Sequence, residues 1–193
     1  MKSNSVDTKI KKALDKYDAD KLAVYDYAAE YAGEEIISTS ETIPYPTNKI
    51  LQIFGLFRLF YSSSPTEIIE PSTMPGNCFQ FYGSKARIIT KLGKKINIAS
   101  VSMEHSSLVQ NISDAPREFK VFGLNDAKTE RTLLGTFTYN NEREAIQNFP
   151  LNNPLFWNTE FGYIESEILN NYSNPLYTSI YRFRVHARKK MNE

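Results

Sequence analysis

Few side chains in these 193 residues are equipped for chemistry, and their small number narrows the field at once. There are two histidines, His105 and His186, and one cysteine, Cys78. A histidine- or cysteine-based metal cluster needs more ligands than that, and no disulfide can close within the chain. His105 ends the run IASVSMEH, where it shares parity with Ala99, Val101 and Met103. It therefore sits at the end of a strand on its apolar face, as a packing residue in the plain reading and at a pocket mouth in the functional one. A Cys78 and His105 dyad lacks thiolate activation and a third group to orient the base. The run PTEIIEPSTMPGNC holds Glu67, Glu70 and Asn77 among turn residues whose oxygens could wrap a hard cation, without the spacing of a calcium loop. The last patterned run, YTSIYRFRVH, puts Tyr177, Tyr181, Phe183 and Val185 on one face and Arg182, Arg184 and His186 on the other. Three readings compete for it: a core strand with a solvated basic face, a nucleic-acid platform, or a strand whose tyrosines line a pocket.

The elements that must position these residues are mostly strands. Beyond residue 55 short apolar runs such as CFQF, RIITKL, INIASVSM, EFKVFGL and FGYIESEI follow one another, punctuated by Pro75-Gly76-Asn77, Leu92-Gly93-Lys94 and Asn153-Pro154. Many strands at short spacing with no helical interludes predict an all-β sandwich or barrel. The first third differs. Val6, Ile10, Ala13 and Tyr17 step at coiled-coil spacing, so residues 1–17 read as the end of a longer coil. Residues 18–33 read as a second helical segment, opened by Asp18 or Asp20 as N-cap and stopped at Gly33. Residues 34–55 flank Pro44-Tyr45-Pro46 and predict a hairpin of two strands joined at a proline turn, a flap with open edges. The sandwich is expected over 56–187 and a short basic tail over 188–193. The fold class is thus mainly β: a compact antiparallel β-sandwich preceded by short N-terminal helices and a hairpin lid.

Charge excludes one of the competing functions. With 23 basic and 22 acidic residues the formal charge is +1, which argues against a nucleic-acid platform. No run of about 18 apolar residues occurs, so any membrane attachment is expected through a segment outside this chain. Two glycosylation sequons, at Asn111 and Asn171, permit a lumenal setting, but a chain this rich in Asn, Ser and Thr should hold roughly two by chance.

The strings MPGNCFQFYGS, MEH, ISDAPREFKVFGL, LLGTFTYN and NPLYTSIYRFRVHA occur in that order. In order and spacing they resemble the SUN-domain family of nuclear-envelope proteins, from about Asp18 to the end of the chain. The resemblance implies a β-sandwich that forms a homotrimer on a coiled-coil stalk. The family's members are inner-nuclear-membrane proteins of the LINC complex with this domain in the perinuclear space. There it binds the C-terminal tails of KASH proteins and links nucleus to cytoskeleton. It implies a nonenzymatic protein with a lid at Ile36 to Phe54, including Ile36, Ile37, Ser40, Ile50, Leu51, Ile53 and Phe54. It also implies a pocket for the peptide's terminal carboxylate formed by His105, Tyr177 and Tyr181. Finally it implies a cation loop in which backbone carbonyls of Glu67, Glu70, Ser72, Asn77 and Tyr181 hold a structural monovalent cation, potassium in type. Departures are informative: Asp114 stands where the family often has a pocket serine, Ser40 at or beside the lid cysteine, and Ser179 where the usual mate of Cys78 would be. From the residues alone the alternative is a carbohydrate-binding β-sandwich module presenting loop aromatics such as Trp157 and Tyr172.

Overall fold

The computed structural model describes residues 25–29, 33–40, 42–53, 57–110 and 112–188. The coil expected at 1–17, most of the segment 18–33, Phe54, Asn111 and the tail from residue 189 lie outside the described residues. The chain forms eleven strands among those described: β1 (Glu35–Ser40), β2 (Pro46–Ile53), β3 (Phe57–Ser62), β4 (Phe79–Tyr82), β5 (Ala86–Glu104), β6 (Glu118–Leu124), β7 (Arg131–Thr138), β8 (Ile146–Pro150), β9 (Glu160–Ile168), β10 (Tyr177–Ile180) and β11 (Arg182–Ala187). All pairings are antiparallel.

The long strand β5 organises the sandwich. Its first half lies between β1 and β9 in the order β1-β5-β9-β6-β7, and its second half lies between β11 and β8. The turn expected at Leu92-Gly93-Lys94 is instead a register shift between Lys91 and Ile96, so RIITKL and INIASVSM are two halves of one strand. Alternation in the first half buries Ala86, Ile88 and Leu92 while Arg87 and Lys91 face outward, as expected of a sheet with one wet face. Between the layers Phe119 packs with Phe137, Phe149 and Phe183 at centroid distances of 5.5, 5.1 and 6.4 Å. Gly123 permits a close approach, since a Cβ there would lie 2.4 Å from the Phe161 ring.

Three expectations need correction. β1 and β2 do not form a hairpin with each other. β1 joins the main sheet beside β5, placing Ile36 opposite Thr90 and Ser40 opposite Arg87, while β2 pairs with β3 as a separate two-stranded sheet. The proline pair explains this: Pro44 and Pro46 keep the chain extended, and segment 43–45 runs beside β4 through bonds from Tyr82 N to Ile43 O and from Tyr45 N to Gln80 O. Residues 25–29, expected to be helical, run as bends laid against β11.

The third correction concerns the basic face of YRFRVH. Arg182 and Arg184 are 0 % exposed and His186 1 %, so this face is core and not solvated. Segment 25–29 covers it. Asp26 accepts hydrogen bonds from Arg182 Nη2 at 3.0 Å, from the Val185 amide at 3.1 Å and from the Ala28 amide at 2.8 Å. Tyr27 N donates to Val185 O at 2.7 Å, His186 Nδ1 lies 3.0 Å from Tyr25 O, and Arg184 pairs with Glu104. Each buried guanidinium thus has a carboxylate, which burial of a charge requires.

Glu34, 8 % exposed, adds a third acid beside this cluster. Burial, and then the Asp26 charge, push its carboxyl from 4.5 up to about 10, so it is held neutral while accepting from Gly93 N at 3.3 Å. A carboxyl raised in the fold favours folding fully below about 4.5, and that advantage is lost as pH rises toward 10. Glu34→Gln should therefore be more stable than the parent at pH 8 and should remove a slope of up to about 1.4 kcal/mol per pH unit. Thermal unfolding of both proteins at pH 5 and pH 8 checks this, and parallel pH profiles would contradict it. Asp26→Ala, which takes a carboxylate from the buried Arg182, should cost about 3 kcal/mol in urea unfolding with an unchanged m-value.

Candidate functional site

The run that begins at Tyr177 is not one strand. β10 pairs with β4 and β11 pairs with β5, so the chain changes sheets at Tyr181. This corner is what turns the Tyr181 ring toward the end of β5, where its centroid lies 4.6 Å from that of His105. The loop that follows β5 returns Asp114 to the same place. Its carbonyl accepts from Ser179 N at 2.9 Å, fixing the loop to β10, and its Oδ1 lies 4.0 Å from His105 Nε2. Sequence-predicted residues His105, Asp114 and Tyr181 are therefore brought together from three separate segments, and the Asp114 charge also reaches Tyr177.

His105 is 3 % exposed and neither ring nitrogen completes a well-formed hydrogen bond. Burial lowers its pKa, while the Asp114 charge and a contact with the Ser106 main chain pull the other way. A neutral imidazole carries one donor and one acceptor, so the pocket holds a buried hydrogen-bond donor or acceptor with nothing to meet it. Its main chain is firmly held: His105 N donates to Ala145 O at 2.9 Å, and the Tyr139 hydroxyl donates to the same carbonyl at 2.8 Å.

The two tyrosines differ. Burial and then the Asp114 charge raise the Tyr177 pKa, and its phenol meets the Asn174 side chain. Burial, followed by Cys78, raises that of Tyr181, whose hydroxyl also reaches the Gly76 main chain and the Cys78 thiol. Tyr181 thus ties the pocket wall to loop 70–78. That loop is closed by a 2.7 Å bond from Asn77 Nδ2 to Ser72 Oγ and turns at Gly76, whose φ of +85° suits glycine. Among the described residues the carbonyls of Ser72 and Asn77 accept no hydrogen bond, and there is no cluster of three or more His, Cys, Asp or Glu able to hold a metal. Uncharged carbonyl oxygens of this kind fit a weakly held hard cation and offer little to a soft one.

One residue escaped the sequence reading. Tyr45, between the two prolines, stacks on Tyr177 with centroids 4.6 Å apart and meets Tyr82 at 4.7 Å. It joins the pocket mouth to the start of β2, and its signal was an aromatic placed where a turn residue was expected. Of the expected lid residues, Ile50, Leu51 and Ile53 lie in β2, whereas Ile36, Ile37 and Ser40 belong to β1 and the main sheet.

Other features do not assemble into a site. Ser102 Oγ lies 2.8 Å from His186 Nε2, the distance of a nucleophile and its base, but both side chains are sealed in the core. The aromatics of the carbohydrate reading are separated in role: Tyr172 donates to Tyr139 O at 2.6 Å, while Trp157 stacks under Arg188 at 4.5 Å. The Asn171 sequon is also spent, its Nδ2 donating to Asn174 O, Tyr177 O and Thr178 Oγ1.

The fold is in class an antiparallel β-sandwich with a separately paired β2-β3 ribbon. Similar folds include a family 32 carbohydrate-binding module from Streptococcus pneumoniae EndoD, with a TM-score of 0.60 at 10 % identity over 84 % of this chain and 99 % of that one. Allantoicase from Saccharomyces cerevisiae matches at 0.58 and 12 % identity over 86 % of this chain and 44 % of the other. At such identities the likeness is one of fold alone. Residues 58–189 match the family model described as Sad1 / UNC-like C-terminal, and the chain belongs to this SUN-domain family of nuclear-envelope proteins. It is 38 % identical over 184 residues to "SUN domain-containing protein 2" of Mus musculus, covering 92 % of this chain and 25 % of that protein. It is 33 % identical over 185 residues to "Klaroid protein" of Drosophila melanogaster, covering 93 % and 19 %. The chain spans about a quarter or less of these two relatives.

Removing the Tyr181 hydroxyl should loosen the loop that shelters Cys78. With a hydrogen bond worth about 1 kcal/mol, Tyr181→Phe should raise the native-state alkylation rate of Cys78 roughly fivefold. An unchanged rate would detach Tyr181 from that loop.

Proposed function

We propose that this domain is a lumenal receptor for the C-terminal tail of a KASH protein, one half of a bridge across the nuclear envelope. The observation that carries this reading is the buried His105, without a well-formed hydrogen bond, 4.0 Å from Asp114, whose charge also acts on the Tyr177 phenol. A peptide carboxylate entering there accepts from the imidazole N–H and from a phenol, and charge-assisted bonds are the stronger class.

The rest of the peptide has a track. β2 and β3 pair with no other strand among those described, so each has an open edge on which an extended chain can add main-chain hydrogen bonds. The lid that does this is the hairpin of residues 46–62. Tyr45 couples its base to Tyr177, so seating a chain end and seating a strand are linked events.

A structural monovalent cation, potassium in type, would be held by the carbonyls of Glu67, Glu70, Ser72, Asn77 and Tyr181, stiffening the loop against which the Tyr181 hydroxyl rests. Assembly as a homotrimer on the N-terminal coil would present three pockets at once, and tethered tails would gain avidity that one weak site lacks. The protein is nonenzymatic in this reading, anchored in the inner nuclear membrane through a segment outside this chain, with the domain in the perinuclear space.

A KASH-tail peptide with a free C-terminus should bind, and the same peptide amidated should bind at least about tenfold more weakly. Fluorescence anisotropy on the two peptides measures the ratio. Equal affinities would remove the carboxylate pocket from the account.

A further inference from the structure

Asp114 sets a condition on the ligand that a serine at that place would not. It is 9 % exposed, with its side chain 13 % exposed, so its carboxylate is mostly buried beside His105 while keeping some contact with solvent. No hydrogen bond to that carboxylate forms among the described residues. The contact with His105 Nε2 is 4.0 Å, too long for one. No lysine or arginine of the described residues is paired with it, and the guanidinium groups of β11 pair with Asp26 and Glu104. The pocket therefore contains an acceptor-only group that waits for a donor.

A peptide carboxylate alone makes this worse. It brings a second negative charge into a confined space beside the first, and like charges at such range disfavour binding unless a cation accompanies them. His105 is held toward its neutral form by burial and supplies a donor without a charge. A cation held by carbonyls of loop 67–77 would lie behind the Tyr181 wall and be shared with that loop, so a charge that meets Asp114 directly comes with the ligand.

Resting on the carboxylate-pocket reading above, we infer that Asp114 makes this site selective for a peptide whose last residue is cationic, lysine or arginine. The terminal carboxylate meets His105 and Tyr177, and the ammonium or guanidinium of the same residue meets Asp114 at the mouth. A terminal acidic residue is rejected by the same carboxylate. A serine at position 114 would accept any small terminal residue, so the selection is a property of this chain's own substitution.

The test uses synthetic KASH-tail peptides that differ only in the last residue, Lys, Thr or Glu, titrated against the full chain. A fourth peptide carries the lysine one position inward, keeping net charge but moving it from the end. The Lys-ended peptide should bind about tenfold tighter than the Glu-ended one and about threefold tighter than the Thr-ended or inward-lysine peptides. In Asp114→Ser the Lys and Thr ends should bind alike, with the Thr end improved over its affinity for the parent. Asp114→Asn provides the same comparison should the serine variant fold poorly. Equal binding of Lys and Thr ends to the parent, or a lysine preference that survives both substitutions, overturns the inference while leaving the carboxylate pocket standing. Loss of any difference between free and amidated ends is a separate result that removes the pocket itself, and the inference with it.

Discussion

The structure hangs on a carboxylate, Asp26, that closes the open side of the last strand. β11 spends one edge on β5, and Asp26 and Tyr27 occupy the other through the Val185 amide and carbonyl. An unsealed edge here would expose main-chain donors and two buried guanidinium groups. Because Asp26 takes Arg182 and Glu104 takes Arg184, the charges of the layer cancel in pairs. Glu34 is kept neutral beside them, and His186, its pKa lowered mainly by burial, sits between Ser102 and the Tyr25 carbonyl. Such a layer contributes little net stability, since desolvation offsets most of the attraction. It fixes geometry, because removing any one partner strands the other.

That geometry reaches the pocket in one step. Arg182 is the residue after Tyr181, so the clamp that holds β11 also sets the corner at which the chain passes to β10. The corner aims Tyr181 at His105 and at loop 70–78, and β10 carries Tyr177 and the amide that pins Asp114. The pocket is thus assembled by a strand that serves two sheets, with each side chain held by main-chain bonds outside the pocket itself. Such support leaves the polar tips of His105 and Asp114 unspent, the condition under which a ligand gains more than it displaces.

Much of this was legible in the residues. Alternation in RIITKL, INIASVSM and EFKVFGL predicts strands that exist, and the parity of His105 with Val101 and Met103 puts it at a strand end facing inward, where it lies. The motifs shared with the SUN-domain family gather residues 105, 114, 177 and 181 that no local pattern could bring together, since sequence separation hides contacts made by pairing between sheets. What failed failed for physical reasons. The arginines of β11 alternate like a solvated face because periodicity reports which residues share a side, not whether another segment covers it. Asp26, placed within a presumed helix, gave no sign that it was the cover. Pro44 and Pro46 read as a turn, yet fixed φ values serve an extended crossing equally well, and that ambiguity moved the hairpin from 34–55 to 46–62. The Leu92-Gly93-Lys94 signal was absorbed as a bulge, which costs a long strand little.

The most direct measurement of the central claim is a structure of the domain with a KASH-tail peptide bound. The account predicts the peptide's last carboxylate within hydrogen-bonding distance of His105 and the Tyr177 phenol, with the preceding residues paired along the edge of the 46–62 hairpin. A chain end resting elsewhere, for example in the open groove of ≈ 890 Å³ between Thr138 and Phe149, with His105 still unmet, would contradict it.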